Sequence, residues 1–144
     1  MNAHVLLVED SSGDVRLTRE AFRDYDATAT LHVVSDGVEA MAFLRREPPH
    51  ANAPRPGLIL LDLNLPRMDG REVLSQIKTD KGLKMIPIII LTTSETESDV
   101  LASYELHANC YLGKPAQWDE FESLMRSTMD FWLKRIRLPQ GAGN

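Results

Sequence analysis

Five short apolar runs punctuate the chain, and each ends abruptly in polar residues. Residues 4–8 (His-Val-Leu-Leu-Val) run into Glu9-Asp10, and residues 30–34 (Thr-Leu-His-Val-Val) run into Ser35-Asp36. Gly57-Leu58-Ile59-Leu60-Leu61 runs into Asp62, Pro87-Ile88-Ile89-Ile90-Leu91 into Thr92-Thr93-Ser94, and residues 109–113 into Lys114-Pro115. Runs this short and this continuously apolar predict strands buried on both faces. Between them the pattern changes to helical spacing, with Val15, Thr18 and Phe22 on one face and Val73, Leu74 and Ile77 on another. Ser11 to Asp14 supply N-cap candidates for a helix to about residue 24, and Ser35-Asp36 for one to about residue 46. Further helices are predicted at about 71–79, 95–106 and from 117 onward. The proline-rich stretch 47–56 reads as a surface loop.

About five βα units in succession predict a doubly wound α/β fold, a parallel sheet covered by helices on both sides. Only residues 138–144 follow the last helical pattern, so no second domain is expected. The 144 residues, 43% hydrophobic and 26% charged, suit a single core of substantial size. A net charge of −5 opposes nonspecific nucleic-acid binding. The basic residues Lys134, Arg135 and Arg137 read as a solvated helix end, with cations favourably placed near a helix C-terminus. No stretch approaches the roughly 20 apolar residues needed to cross a bilayer, so no membrane association is expected. The lone Cys110 permits no intrachain disulfide and reads as a buried, inert thiol, and the chain is expected in the cytoplasm.

The strand ends carry the chemistry. In a parallel sheet they share one edge, which therefore holds Glu9, Asp10, Asp62, Thr92, Thr93 and Lys114. Asp62 must leave its greasy strand because an unpaired buried charge is costly, and Pro66 and Asp69-Gly70 turn the chain away beyond it. Three neighbouring carboxylates repel one another unless a cation joins them. Oxygen donors of this kind point to Mg²⁺. Metal, ammonium and hydroxyl around one point suit an oxyanion, and Asp62, central among them, is the candidate nucleophile for phosphoryl transfer through an acyl phosphate. A flavodoxin-type cofactor binder on the same architecture is disfavoured, because two carboxylates stand where the anionic cofactor would sit and no glycine-rich phosphate loop is present.

At these residues the chain resembles the receiver domain of two-component response regulators. The matching segments are Leu6-Leu7-Val8-Glu9-Asp10, Leu60-Leu61-Asp62, residues 66–70, Ile90-Leu91-Thr92 and Lys114-Pro115. The resemblance implies a flavodoxin-like (βα)5 sheet of order 2-1-3-4-5, with a receiver domain over residues 1–138 and a short tail over 139–144. It implies that Asp62 accepts a phosphoryl group from a phosphohistidine on a sensor histidine kinase. Asp10, Asp62 and the backbone carbonyl of Asn64 would ligate Mg²⁺ directly, with Glu9 acting largely through water. Lys114 would contact the phosphoryl group, while Thr92 and Tyr111 would switch in response to it. Within the family, residues 9–16, 63–66 and 108–112 and the Phe131-Trp132-Leu133 tail are similar to single-domain regulators paired with bacterial phytochromes. Ser11 and Gly113 depart from that pattern without removing a phosphorylation ligand. Onward relay of the phosphate, or a receiver-like platform that is never phosphorylated, are the alternative roles.

The last helix adds an expectation of its own. Trp118, Phe121, Phe131, Trp132 and Leu138 make an apolar face larger than one sheet can cover, which points to a homodimer through this helix and the tail.

Overall fold

A computed structural model describes residues 3–25 and 29–139. The strands are β1 (Ala3–Val8), β2 (Ala29–Val34), β3 (Leu58–Leu61), β4 (Ile88–Thr92) and β5 (Cys110–Gly113), paired in parallel in the order β2-β1-β3-β4-β5. The helices are α1 (Ser12–Arg23), α2 (Gly37–Leu44), α3 (Gly70–Thr79), α4 (Glu97–Glu105) and α5 (Trp118–Met129). The doubly wound fold and the strand order are those expected from the sequence.

Continuous apolar strands are explained by the two cores they serve. Side chains alternate across a strand, so Leu6, Val8, Ile59, Leu61, Ile88 and Ile90 enter one core, with Phe43, Val73, Leu74 and Ile77 from α2 and α3. Val5, Leu7, Leu58, Leu60, Ile89 and Leu91 enter the other, with Phe22, Phe121, Met125 and Met129 from α1 and α5. No position on the central strands is spare for a polar side chain, and the functional groups are therefore confined to strand ends.

Four of the five α-helix starts are held by a local oxygen. The side chains of Ser11, Asp36, Asp69 and Thr96 accept from the backbone N–H groups of Asp14, Glu39, Arg71 and Asp99, respectively, whereas α5 begins at Gln117 without such a bond. Helix α2 stops before the expected residue 46 because Arg46 turns left-handed at φ 56°, and Glu47 N–H closes back on the Ala42 carbonyl. His107 ends α4 in the same way, at φ 73° with Ala108 N–H on the Ser103 carbonyl. The residue 109 expected in the fifth strand lies just outside it, yet its side chain extends the ladder: Asn109 Oδ1 accepts from Ile88 N–H at 2.9 Å.

The long last helix is interrupted. After Met129 the chain continues as a π-helical segment (Asp130–Arg135), and Ile136 N–H reaches the Phe131 carbonyl at 2.8 Å. In this register Phe131 points outward at 51% exposure, while Trp132 and Leu133 lean on the α1–α5 core. Phe121, assigned from the sequence to a partner surface, is a correction: it is 2% exposed and fills that core, because α5 lies flat on the sheet and turns this position inward. Leu138 is half-buried with its side chain against Gly57. The rest of the tail beyond Pro139 lies outside the described residues. Cys110 is half-buried, and burial pushes its thiol up, as an inert thiol requires. Among the described residues no helix is long and apolar enough to cross a membrane.

Candidate functional site

The strand order reverses its direction of growth at β1, leaving a crevice between the carboxyl ends of β1 and β3. Glu9 and Asp62 stand on either side of it. Both backbones are pinned as extensions of the sheet, Glu9 N–H on the Val34 carbonyl at 3.0 Å and Asp62 N–H on the Val8 carbonyl at 3.1 Å. Close behind Asp62, the chain returns at Gly70, whose N–H bonds the Leu63 carbonyl at 2.9 Å. A Cβ at Gly70 would lie 2.2 Å from the Asp62 carbonyl oxygen, so only glycine lets α3 start this near the site.

Asp62 leaves its strand but does not reach open solvent. It is 7% exposed and Glu9 is 3% exposed, while Asp10 is exposed. Carboxylate oxygens of Glu9, Asp10 and Asp62 lie within 4.8 Å of one another, an all-oxygen donor set that fits a hard divalent cation and leaves room for water ligands on the open side. Asp62 Oδ1 also accepts from Asn64 N–H at 3.2 Å, which fixes the start of the β3–α3 loop against the carboxylate.

Lys114 crosses the edge from β5 and is the cation that holds these acids together. Its side chain is 5% exposed, and its ammonium donates to Glu9 Oε1, to Asp14 Oδ2 at 2.9 Å and to Asp62 Oδ2 at 3.1 Å. Its backbone N–H is tied to the Thr92 carbonyl at 2.8 Å. Burial opposes the charge on Lys114, but the hydrogen bonds it donates to Glu9 and Asp14 and the charges of Glu9 and Asp62 outweigh it and push the amine above its ordinary value. Burial also pushes Glu9 up to about 7, against the opposing pull of Lys114.

Thr92, fully buried at the end of β4, has its Oγ1 3.4 Å from the N–H of Ser94. The loop it opens is fastened on two sides. Tyr111 donates from its hydroxyl to the Ser94 carbonyl at 2.8 Å. Ser94 Oγ donates to Asp99 Oδ2, and the Asp99 carboxylate is gripped by Arg71 at 2.7 Å. Arg71 in turn holds Asp69, the N-cap of α3, at 3.1 Å. The hydrogen bond from Ser94 and the Arg71 guanidinium hold the Asp99 carboxyl below the usual carboxylate range.

The structure therefore brings together Glu9, Asp10, Asp62, Asn64, Thr92, Tyr111 and Lys114 at one edge. Trp118 stands beside them, 39% exposed and stacked on Phe121 at 6.5 Å between centroids. Phe131 and Trp132 meet edge-on at 5.9 Å, away from this edge on the π-helical segment. Sequence reasoning missed two members. Asp14 was readable only as a cap candidate, and the Asp69–Arg71–Asp99 bridge gave no motif. Their signal lies in which helices adjoin, and the order of the strands had to be known first.

This geometry is that of a phosphoryl-accepting signalling module rather than a cofactor-binding flavoprotein. Residues 5–126 match the response regulator receiver domain, and the chain belongs to that family. Among its relatives, response regulator Rcp1 of Synechocystis sp. is 49% identical over 135 residues, which span 94% of this chain and 92% of that protein. The crystal structure of the phosphorylated cyanobacterial phytochrome response regulator RcpA superposes with a TM-score of 0.94 at 46% identity, covering 97% of this chain and 100% of that one. The Mn²⁺-bound form of Rcp1 gives 0.92 at 48% identity, over 96% and 99% of the two chains. The bacteriophytochrome response regulator RtBRR gives 0.75 at 37% identity, over 99% and 87%.

Proposed function

We propose that Asp62 accepts a phosphoryl group from a phosphohistidine of a sensor histidine kinase. The observation that carries this reading is the buried ammonium of Lys114, 3.1 Å from Asp62 Oδ2 and beside an oxygen donor set for a divalent cation. A carboxylate oxygen of Asp62 forms the new P–O bond as the donor's P–N bond breaks, and the departing imidazole takes up a proton from solvent. Lys114 neutralises charge on the transferred group, and the hydroxyl of Thr92 moves to bond it. Glu9, Asp10, Asp62 and the Asn64 carbonyl would hold Mg²⁺, which when bound supplies charge stabilisation to the phosphoryl oxygens. The chain catalyses only its own phosphorylation and dephosphorylation.

The kinase we favour is a bacteriophytochrome. The support is the similarity to RcpA, Rcp1 and RtBRR, the first and third of which are described as phytochrome or bacteriophytochrome regulators. A homodimer through α5 and the segment after it is supported by Phe131, an aromatic ring half in water next to the half-buried Trp132. A light-scattering mass of one chain at tens of micromolar, with and without a phosphoryl mimic, defeats the dimer. The receiver domain of residues 1–138 would report phosphorylation through its surface by the switch of Thr92 and Tyr111.

The test is Asp62→Asn. Wild type takes a hydroxylamine-labile phosphoryl label from a cognate kinase in Mg²⁺, and the variant takes none. Equal labelling of the variant refutes the assignment.

A further inference from the structure

An ammonium has three N–H donors, and in this site all three are taken by carboxylates. Two of the acceptors, Glu9 and Asp62, belong with Asp10 to the cation cluster. The third, Asp14, does not. It sits in the first turn of α1, and its backbone is fixed there from both sides: its N–H is capped by Ser11 Oγ at 3.3 Å, and its carbonyl accepts from Thr18 Oγ1 at 2.8 Å. The Asp14 side chain is 30% exposed and the Lys114 side chain 5% exposed, so Asp14 closes the outer side of the buried ammonium. Asp14 and Lys114 both line a cavity of about 250 Å³, together with Leu17, Thr93, Trp118 and Phe121.

The three acceptors are not equivalent during phosphoryl transfer. Glu9 and Asp62 would share their oxygens with a divalent cation, and the attacking oxygen of Asp62 becomes the bridging anhydride oxygen of the acyl phosphate, with much less negative charge. Asp14 alone keeps an uncommitted carboxylate. Lysine is a point charge on a flexible four-carbon stem, and the Lys114 backbone bond to Thr92 fixes only its base. Without a third acceptor the tip is free to turn toward the cavity and water.

Resting on the phosphoacceptor reading above, we propose that Asp14 is a positioning residue, which takes one N–H of Lys114 and so holds the ammonium beside the Asp62 carboxylate while Glu9 and Asp62 are engaged elsewhere. The carboxylate also spans two elements, so it couples the first turn of α1 to the strand end that carries Lys114.

The experiment compares Asp14→Ala and Asp14→Asn in the full chain with two readouts. The first is the ¹⁵N-lysine NMR signal of the Lys114 ammonium, with and without Mg²⁺, assigned by its loss in Lys114→Arg. The second is the rate of labelling at Asp62 by a small phosphoramidate. In Asp14→Ala the ammonium signal vanishes through fast exchange with water, and labelling slows by up to about a hundredfold, the scale expected for misplacing one group by about an ångström. In Asp14→Asn the amide oxygen accepts the same N–H and one negative charge is gone, so the signal persists and labelling runs at or above the wild-type rate. A persistent ammonium signal or a wild-type rate in Asp14→Ala overturns the proposal, and so does an Asn variant as impaired as Ala. If wild type takes no label at Asp62, the phosphoacceptor reading fails instead, and the ammonium signal still decides whether Asp14 holds Lys114.

Discussion

The hydroxyl of Tyr111 donates to the backbone carbonyl of Ser94 across 2.8 Å, tying a β5 side chain to the loop that follows Thr92. Tyr111 also packs on the α2–α3 core, and burial pushes its phenol up, so it is a neutral donor at ordinary pH. Thr92 Oγ1 lies 3.4 Å from Ser94 N–H, so a backbone movement of Thr92 would reach Ser94 two residues along. The ring and the loop then move together or the bond breaks.

Tyr111→Phe keeps the ring in the core and removes only this bond. The expected cost is about 1 kcal/mol in unfolding free energy, the usual net worth of one such hydrogen bond. Amide hydrogen exchange over residues 93–97 quickens, while labelling at Asp62 persists. Unchanged exchange over that loop shows that the bond does not restrain it.

Arg71 and Asp99 hold the same loop from the other side, at 2.7 Å and with both side chains partly in water. Asp99→Ala frees both Ser94 and Arg71. The change in stability is small, because the pair is partly exposed and screened by water. The loop, however, no longer favours its present arrangement, and affinity for beryllofluoride rises. Calorimetric titration reads this, and a weaker affinity contradicts it.

Glu9 gives the site a pH dependence with a definite sign. Its carboxyl is raised from 4.5 to about 7 by burial, so the metal-free folded state binds an extra proton between those values. Stability from this source is fully present below the unfolded value of 4.5 and is lost as pH rises through about 7. A divalent cation drawn to this carboxylate would compete with that proton, so the expected affinity weakens as pH falls through that value and binding releases a proton. In Glu9→Gln both trends flatten. Isothermal titration in buffers of different ionisation enthalpy counts the proton, and a count of zero at pH 6 refutes the linkage.

Phe121 and Phe131 are chemically alike and opposite in placement, at 2% and 51% exposure. Phe121→Ala empties part of the α1–α5 core and costs about 3–5 kcal/mol. Phe131→Ala costs little as a monomer and lowers self-association. Denaturant unfolding together with sedimentation separates the two effects.

Much of the site is legible along the chain because strands punctuate themselves. Glu9, Asp10, Asp62, Thr92 and Lys114 each follow an apolar run, and a parallel sheet places all such ends on one edge. That inference needs only local patterns and the rule for parallel strands. It is silent on which side chains touch. Lys114 meets Glu9 and Asp14 across 105 and 100 residues of chain, and Asp62 across 52. Those separations are bridged by the order of the strands and by the helix that lies over each.

The same limit explains Phe121. Helical spacing shows that an apolar face exists on α5, but only its seat on the sheet decides which aromatic rings fill the core and which stay outside. Nothing along the chain pairs Arg71 with Asp99; only the packing that brings α3 and α4 together does. By itself the sequence determined the elements, the sheet edge and the candidate acceptor carboxylate, since these follow from local periodicity and the cost of burying charge. The tertiary structure decided the partners: who neutralises Lys114, what fastens the loop after Thr92 and which ring faces solvent depend on distances that no local pattern encodes.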